Sequence, residues 1–594
     1  MNAGTETISS NITTDTVWTS DNEYIVDGQV YVIDGAALTI EPGTVIRGAA
    51  KTEGAEASAL VVARGSRIYA VGTPNAPIIF TAEADPLDGS YTDQDTQAWG
   101  GLIVLGKGVL NSAKQGTVTD GTPPLIVENI EGLTNSPDND WSEFGGTDNE
   151  DNSGIIRYVS IRHGGSEIGA GNEINGLSMG GVGSGTTIEF VEVFANKDDG
   201  FEWFGGAANA RFLVAAFGND DSFDYDQGWT GYGQFWASFG TKNGIIEDAA
   251  DHGGEHDGST SAVPGVEFRG MGSIFNATYV GPGSQADLGL DVIDEGVFEI
   301  SDDAGARYYN SVFMKFGGHG VEVKDDALDG LTEVEGDTTR IDFSNNIWFD
   351  LGDGSVDSLG KTADVTSFLT DAARSNTLED PLLRGISRTV DGGLDPRPEA
   401  GSPALTNDLK DYPDMDFFLP VDYQGAFSPD SNWMIGWTAL SEKGYLPEVN
   451  AGATSSPINI STRTNIEAGQ FMTAGFVIDG ELPKGVLIRA IGPKLVDIGA
   501  TETLMADPKF DVYNGAGELV ISSDDWVDQD DASVIKVMSD YVGAFSLETD
   551  GGSVNDTKSA AAYVILNPGL YTVIVSSVDG SGGNAMVEVY DADR

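Results

Sequence analysis

Short apolar runs, rich in Val, Ile and aromatic residues, recur along most of this chain, and each ends in Gly, Asn or an acidic cluster. This pattern is typical of β-strands that are bounded by turns. It is densest from Gly154 to Phe239, where such runs begin at Ile155, Thr186 and Ala210. The pattern therefore predicts a chain built mainly from short strands.

The acidic turns that follow these runs repeat at a constant distance. The cluster that contains Asp198 is followed 22 residues later by the cluster that contains Asp220. A repeat of this length, with strands and turns in every unit, predicts a solenoid of stacked coils. Further along, Asn276, Asn310 and Asn345 follow one another at intervals of 34 and 35 residues. Equivalent Asn side chains on stacked coils can form a hydrogen-bonded ladder, so we expect one inside the solenoid.

Changes in this rhythm divide the chain into four predicted segments. Residues 1–19 are an N-terminal strand or cap segment. Residues 20–446 are a parallel β-helix, and the aromatic and Gly-rich part Asp422–Leu446 is typical of a cap that closes its end. Residues 447–457 are a linker, and residues 458–594, with about eight strand patterns, are a β-sandwich module. The predicted fold class is all-β, a right-handed parallel β-helix (solenoid) followed by a C-terminal β-sandwich.

The composition restricts the kinds of function. The chain has 594 residues, a formal net charge of −63 and no cysteine. This charge repels the phosphates of nucleic acids and of anionic membranes, so we expect neither as a partner. The carboxylates instead favour cations, above all Ca²⁺, whose preferred ligands are carboxylate and carbonyl oxygens. No apolar run reaches the roughly 18 residues of a membrane-spanning helix, so no transmembrane segment is expected.

Several motifs resemble known families. AWGGLIVLG from Ala98, NEINGLSMGGVGSGTTIEF from Asn172 and NWMIGWTAL from Asn432 are similar to a large group of exported bacterial surface proteins with a right-handed parallel β-helix. VLIRAIGPKL from Val486 and LYTVIVS from Leu570 resemble a β-sandwich module appended to many secreted bacterial proteins. The resemblance implies export and a β-helical fold, and it supplies no catalytic residues.

The acidic clusters are the strongest chemical feature of the sequence. Neighbouring coils of a β-helix are about 4.8 Å apart, so clusters one repeat apart would bring their carboxylates together along one edge. Such a row repels itself, and calcium, with about 6–8 oxygen ligands, would relieve the repulsion; the alternative is a solvated acidic face. The predicted calcium ligands are Asp198, Asp199, Glu202, Asp220, Asp221, Asp224, Asp226 and, in a second group, Asp302, Asp303, Asp325 and Asp326.

Aromatic residues are dense around the first acidic group. Alternate ones are expected to fill the interior of the coils, and the others could form a platform that stacks on sugars or docks a protein. The candidates for this binding platform are Trp203, Tyr225, Trp229 and Tyr232.

No arrangement of residues is diagnostic of catalysis. The string His-Gly-Gly-Glu-His from His252 to His256 fits a zinc-protease motif, but that motif works on a helix and the two glycines favour a loop. A polysaccharide lyase would need a Lys or Arg base beside calcium. The cationic candidates are Lys197, Arg211, Lys315 and Lys324, and none has a diagnostic spacing. A role without catalysis is therefore favoured.

We predict a structural or adhesive protein outside the cell or at its surface, rigidified by calcium and self-assembling end to end into a filament or surface layer. The N-terminus MNAGTETISS is not a signal peptide, so export is inferred from composition and architecture alone. Self-association is expected through the C-terminal module or by strand addition of the N-terminal segment, with contacts at Ile8, Ile12, Val17 and Trp18. The alternative is a carbohydrate-active protein, as a polysaccharide lyase or a polysaccharide-binding adhesin.

Overall fold

The structure is a computed structural model of the chain, which divides into two compact units near residue 450. Residues 449–457 of the predicted linker lie outside the described residues. No helix in the described ranges is both long and apolar enough to span a membrane. The described residues are 4–50, 56–113, 117–119, 121, 124–130, 132–133, 139–167, 174–241, 252–259, 263, 266, 269–289, 296–448, 459–548 and 555–593.

The elements of the first unit are short strands with a few short helices. Its strands are β1 (Gly4–Ile8), β2 (Thr16–Trp18), β3 (Asn22–Val26), β4 (Gln29–Val32), β5 (Ala37–Ile40), β6 (Val45–Gly48), β7 (Ala59–Val62), β8 (Arg67–Val71), β9 (Ile78–Ala82), β10 (Leu102–Leu105), β11 (Thr117–Thr119), β12 (Leu125–Asn129), β13 (Glu143–Phe144), β14 (Gly154–Arg162), β15 (Leu177–Gly180), β16 (Thr187–Phe194), β17 (Phe201–Phe204), β18 (Ala210–Ala216), β19 (Phe223–Asp226), β20 (Tyr232–Phe239), β21 (Gly254–Asp257), β22 (Met271–Phe275), β23 (Thr278–Val280), β24 (Phe298–Ser301), β25 (Gly305–Tyr309), β26 (Val312–Met314), β27 (Val321–Val323), β28 (Val334–Glu335), β29 (Thr338–Thr339), β30 (Ile341–Ser344), β31 (Ile347–Phe349), β32 (Thr377–Leu378), β33 (Leu383–Ile386) and β34 (Leu394–Pro398). Its α-helices are α1 (Gln285–Leu288), α2 (Ala363–Leu369) and α3 (Ala439–Glu442), and its 3-10 turns are Leu328–Leu331, Val356–Leu359, Ala372–Arg374 and Pro403–Leu405.

The first unit is a parallel β-helix, because the strands of successive coils pair in parallel. In the first coils, one face is formed by β1, β3, β6 and β9, and a second face by β2, β5 and β8. From β14 onwards a single long strand contributes to both faces: β14 pairs with β8 through its first half and with β9 through its second half, and β16 and β18 continue it. The third face is a separate nine-stranded sheet that runs from β4 through β7, β10, β15, β17, β19, β21 and β24 to β27. Inward side chains of these strands share one apolar core. The predicted parallel β-helix is therefore confirmed.

The bend between the first two faces has a left-handed backbone. Residues with φ between 50° and 59° occupy it in successive coils: Tyr158, Phe190, Phe212, Phe235, Asn276, Asn310 and Asn345. This conformation costs a residue with a side chain about 1–3 kcal/mol. Asn tolerates it better than most residues, and the aromatic side chains offset the cost by stacking, with 4.4 Å between the ring centres of Phe190 and Phe212.

The predicted Asn residues occupy equivalent corner positions, but their side chains bind a different part of the chain. The side-chain amide of Asn345 donates to the carbonyl of Asp408 at 2.9 Å, and that of Asn310 donates to the carbonyl of Lys410 at 3.0 Å. We call residues 408–446 the strap. The corner Asn residues therefore tie the strap to the coils, and this contact takes the place of the expected Asn–Asn ladder.

The strap lies along the outer side of the coils. Trp433 packs edge-on against the corner rings Phe190 and Phe212, with ring centres 6.3 and 5.4 Å apart. Core residues Val365 and Leu369 of α2 join the apolar core after the last coils. The prediction that Asp422–Leu446 closes the end of the β-helix is therefore wrong, because its indole rings are used to cover the aromatic corner.

The second unit is a β-sandwich. Its elements are β35 (Asn459–Ile466), β36 (Met472–Ile478), β37 (Lys484–Ile491), β38 (Pro508–Asn514), β39 (Leu519–Ser523), β40 (Ala560–Leu566), β41 (Gly569–Ser577), β42 (Gly583–Asp591), α4 (Ala532–Tyr541) and the 3-10 turns Pro493–Ile498 and Trp526–Asp528. Two four-stranded antiparallel sheets, ordered β35-β42-β37-β40 and β36-β41-β38-β39, enclose one apolar core. The β-sandwich that the alternating strand patterns predicted is present.

Candidate cation site

The third face of the β-helix carries a column of acidic side chains, which we call the acidic column. Alternation along each strand places Phe201, Trp203, Phe223 and Tyr225 in the core, so the residues between them point away from it. Parallel register then aligns these outward positions from coil to coil. The aligned residues are Ser178, Glu202, Asp224, Glu255, Glu299 and Glu322.

Sequence reasoning found the first part of this column and missed the rest. The 22-residue spacing correctly placed Glu202 beside Asp224 on neighbouring strands. Glu255, Glu299 and Glu322 follow at separations of 31, 44 and 23 residues, because loops of different length leave the coils between them. A usable signal was present, since each lies at the same point of a short strand in FEW, FDY, GEH, FEI and VEV.

Three carboxylates at the N-terminal end of the column form a compact buried group. One oxygen from each of Asp199, Glu202 and Asp224 lies within 4.8 Å of the others, and these residues are 9%, 6% and 8% exposed. We call them the carboxylate triad. Asp198 and Asp220 form a second group with Asp199 at the adjoining turn. The structure thus brings together most of the first predicted set of ligands.

Few hydrogen-bond donors and cationic groups balance the negative charge of the triad. Asp199 Oδ1 accepts a hydrogen bond from the backbone N–H of Asp221 at 3.0 Å, and the side-chain amide of Asn175 donates to Glu202. Asp224 Oδ1 is buried and has no hydrogen-bond partner among the described residues. Within the same described residues, no cationic side chain forms an ion pair with Asp199 or Asp224. Negative charge is therefore held here with little to balance it.

The pKa values of the triad reflect this imbalance. Burial raises the pKa of Asp199 well above its usual range, and the charges of Asp224 and Asp221 raise it further. Burial, followed by the charges of Glu202 and Glu255, likewise raises the pKa of Asp224 well above its usual range. Near neutral pH these carboxylates need either a proton or a cation. Their oxygen-only ligand set suits a hard cation such as Ca²⁺ or Mg²⁺.

Beside the triad, a histidine compensates the next carboxylate. His252 Nδ1 lies 3.2 Å from Asp221 Oδ1, and the His252 backbone N–H donates to the same oxygen at 2.5 Å. Burial acts to raise the pKa of Asp221, but the charge and hydrogen bonds of His252 outweigh it and leave the pKa lowered. Burial and the charge of Asp221 raise the pKa of Glu255 to about 9. This part of the column therefore holds a proton on Glu255 at neutral pH.

Lysines compensate the lower end of the column. Lys324 Nζ lies 2.9 Å from a carboxylate oxygen of both Glu299 and Glu322, and Lys361 Nζ lies 2.5 Å from Glu322. These ammonium groups occupy the position between carboxylates that a metal ion would otherwise take. A cation site is consequently favoured at the triad and disfavoured at this end.

The second predicted group of ligands is not assembled into a carboxylate cluster. Asp303 forms ion pairs with Arg269 at 2.8 Å and with Arg340 at 3.1 Å. The backbone N–H of Asp302 donates to Asp326 Oδ1 at 3.2 Å. Among the described residues, no cluster of three carboxylates includes Asp302, Asp303, Asp325 or Asp326. At Asp303, two arginines that are distant in the sequence supply the positive charge that was expected from a metal.

Asp226 lies on the strand that carries Asp224 but stands apart from the triad. It is 2% exposed, and its Oδ1 accepts a hydrogen bond from the backbone N–H of Gln227 at 2.5 Å. Neither described group of clustered carboxylates on this face includes it. Its role as a ligand stays a prediction.

The predicted aromatic platform is not on the surface. Trp203, Tyr225 and Trp229 are 0% exposed, and the rings of Trp203 and Trp229 stack with centres 5.0 Å apart inside the core. Tyr232 is partly buried and packs edge-on against Phe418 of the strap. The interpretation of these residues as a sugar-stacking surface is therefore wrong, because alternation directs them inward.

The His-Gly-Gly-Glu-His string does not form a zinc site. Residues Gly254–Asp257 are the strand β21, so neighbouring side chains point to opposite faces. His256 stacks on Tyr225 inside the coils with ring centres 3.9 Å apart, whereas His252 contacts Asp221 on the outer side. The two imidazoles therefore face different environments.

The residues proposed for assembly belong to the first coil of the β-helix. Trp18 is 2% exposed and stacks on Tyr24, and Ile12 forms a parallel bridge with Val32. Ile8 is partly buried against the same core, whereas Val17 is 41% exposed. Three of the four contact residues thus serve the coil itself, and their role in assembly stays a prediction.

The fold and site define a parallel β-helix protein with an acidic column on one face. Residues 10–347 match the family of the pectate-lyase like beta helix domain. Because the match covers more than half of the chain, the protein belongs to this family. A comparison with curated proteins found no match. The match places the protein broadly among carbohydrate-active or surface β-helix proteins.

Proposed function

We propose that this protein is an extracellular structural or adhesive β-helix protein that binds Ca²⁺ through the carboxylate triad. The supporting observation is that Asp224 Oδ1 is buried without a hydrogen-bond partner among the described residues, in a side chain that has one oxygen within 4.8 Å of carboxylate oxygens of Asp199 and Glu202. Leaving such an oxygen unpaired is costly, and a bound cation would remove the cost.

Calcium at the triad would join neighbouring coils. Glu202 belongs to β17 and Asp224 to β19, the strands of successive coils on the third face. Asp199 precedes β17 at the adjoining turn. A cation held by all three residues would resist separation of these coils and so stiffen the β-helix. Ca²⁺ fits better than Mg²⁺, which demands a near-ideal octahedral arrangement and keeps several waters.

Calorimetric titration of chelator-treated protein with CaCl₂ tests this site. Glu202→Gln should weaken calcium affinity at least about tenfold, because it removes a charged ligand. Glu322→Gln is the matched control: it is the same substitution on the same column, but lysines already neutralise Glu322. Equal calcium affinity in wild type and Glu202→Gln would refute the site.

We further propose end-to-end self-association as the basis of the structural role. Within the described residues, β1 pairs only with β3 and β2 only with β5, so the first coil has an outer edge to offer. Negative-stain imaging in millimolar calcium should show regular filaments or sheets, and deletion of residues 1–15 should shorten them. Dispersed single particles at all protein concentrations would refute self-association.

A carbohydrate-active role is the second candidate, favoured by the family match. A lyase would need a free cationic base. Lys324 is held between two glutamates and Lys315 between Asp287 and Asp350. Arg211 pairs with Glu189 at 2.5 Å, so Lys197 is the remaining candidate among the four. Binding without cleavage is therefore preferred for this candidate. Incubation with polyuronates and calcium should give no unsaturated products by ultraviolet absorbance, and their appearance would establish a lyase instead.

A further inference from the structure

The β-sandwich has four sheet edges, and three of them are protected from pairing with another chain. β40 has the helix α4 packed near it, and Ala560 at its start is bridged to Asp525. β39 is only five residues long, and its pairing with β38 is irregular. β35 carries Arg463, which pairs with Glu502 at 2.7 Å. Charges, short length, irregular pairing and covering helices are the means by which proteins prevent edge-to-edge association.

The fourth edge, β36, lacks all of these protections. Its seven residues, MTAGFVI, include no charge and no proline, and among the described residues they pair regularly with β41 on one side only. Its backbone N–H and C=O groups on the outer side are therefore available for another strand.

Exposed apolar side chains surround this edge. Phe471, Val477 and Leu570 are 63%, 60% and 62% exposed, and Val477 lies opposite Leu570 in the β36–β41 register. A cavity of about 320 Å³ lies beside β36; apolar residues such as Ile460 and Phe476 line it together with the charged residues Asp479, Lys484 and Asp591. Large apolar side chains that are exposed together mark interaction surfaces.

Charge indicates what can cover this surface. Two copies of a chain with a net charge of −63 repel each other over most surfaces, so association requires contact where neither copy presents charge. The seven residues of β36 carry no charge, so pairing there would bring two uncharged strands together, with Asp479 just beyond the end of each. At physiological salt, charges further than about 8 Å from the contact are largely screened.

We propose that two copies of this chain associate through antiparallel pairing of their β36 strands. Gly475, the middle residue of β36, lies on the two-fold axis, which places Thr473 of each copy opposite Val477 of the other. Two four-stranded sheets become one eight-stranded sheet, a closed symmetric contact. This proposal rests on the proposed self-association and adds to the edge of the first coil a second surface, which by itself joins only two copies; it is independent of the calcium site.

Sedimentation velocity of the full chain and of two lysine variants tests the contact. The wild type, with a chain mass of 62.4 kDa, should sediment as a dimer or as a multiple of one. Val477→Lys should raise the dimer dissociation constant at least about 100-fold, since each copy would bring a charge into the contact. Leu519→Lys is the matched control, because Leu519 is 56% exposed on the far edge β39 and its variant should still dimerise.

Cross-linking tests the register. The chain has no cysteine, so an introduced one reports a single position. A side chain at Gly475 is tolerated, since the nearest atom to an added Cβ is the Tyr571 carbonyl oxygen at 3.8 Å. On oxidation, the thiol introduced by Gly475→Cys in one copy should form a disulfide with the same thiol in the second copy. The Thr473→Cys variant should form no such disulfide, because Thr473 faces Val477 of the other copy.

The outcomes separate this proposal from the others. Dimers that survive Val477→Lys, or that cross-link through Thr473→Cys and not Gly475→Cys, would overturn the β36 contact while leaving self-association through other surfaces. A wild type that stays monomeric at about 100 µM would overturn both. Neither result would affect calcium binding, which the titration measures separately.

Discussion

Asp224→Asn tests the central feature of the site, a buried carboxylate oxygen without a partner. In wild type, burial and neighbouring charges raise the pKa of Asp224 well above its usual range, so its ionised form opposes folding at neutral pH. Asparagine keeps the shape of the side chain and removes the charge. We therefore expect the metal-free variant to be at least as stable as metal-free wild type, and to gain less from calcium.

The size of the calcium effect follows from linkage. Calcium at 100 times its dissociation constant stabilises the folded state by about 2.7 kcal/mol. Unfolding a unit of about 445 residues changes the entropy by about 0.9 kcal/mol per degree, at about 2.1 cal/mol/K per residue. Saturating calcium should therefore raise the melting temperature of wild type by about 3 °C. For Asp224→Asn the increase should fall below about 1 °C.

Differential scanning calorimetry in chelator and in calcium measures all four melting temperatures. Asp303→Asn is the control, because arginines already pair with Asp303. It should leave the increase with calcium intact. An unchanged calcium effect in Asp224→Asn, or a metal-free variant that is clearly less stable than wild type, would refute the interpretation of the triad.

Three further predictions concern the column and the strap. Because burial and the charge of Asp221 raise the pKa of Glu255 from 4.5 to about 9, its contribution to stability is present below pH 4.5 and is lost as the pH rises towards 9; Glu255→Gln should flatten the pH dependence of unfolding in chelator, and an unchanged slope would contradict this. Trp433→Ala should cost about 3–5 kcal/mol by denaturant unfolding, since Trp433 is 5% exposed against the corner rings, whereas the exposed strap residue Met415 should tolerate Ala within about 0.5 kcal/mol. Burial raises the pKa of Glu192 too, but both of its oxygens accept backbone hydrogen bonds from the strap, at 2.5 and 3.2 Å; Glu192→Gln should cost about 2 kcal/mol in the same assay, because an amide has only one acceptor oxygen and turns its NH₂ towards the other donor, and no loss would show that the strap does not depend on this anchor.

Local patterns were sufficient to predict the architecture. Alternation and turn residues determine which side chains of a strand face the core, so strands such as Phe201–Phe204 could be recognised from sequence. Where two coils have equal length, spacing also determines register. This is why Asp198 and Asp220, 22 residues apart, correctly indicated a cluster that also contains Asp199. The same alternation accounts for the buried position of Trp203.

Other features depend on contacts between distant parts of the chain, which no local pattern encodes. Loops of unequal length conceal the alignment of Glu255 and Glu299 with Asp224, although parallel pairing places them in one column. The strap covers the aromatic corner because burial of the apolar rings is favourable, and these rings form one surface only in the folded coils.

The distinction between a cation site and an ion pair is likewise tertiary. Asp199 and Asp303 both lie in acidic runs of the sequence. Folding brings Arg269 and Arg340 to Asp303, and it brings further carboxylates to Asp199. The sequence by itself therefore determines the strands, their faces and the abundance of negative charge. The tertiary structure decides where that charge stays unbalanced, because counter-charges reach a carboxylate only through the packing of distant segments.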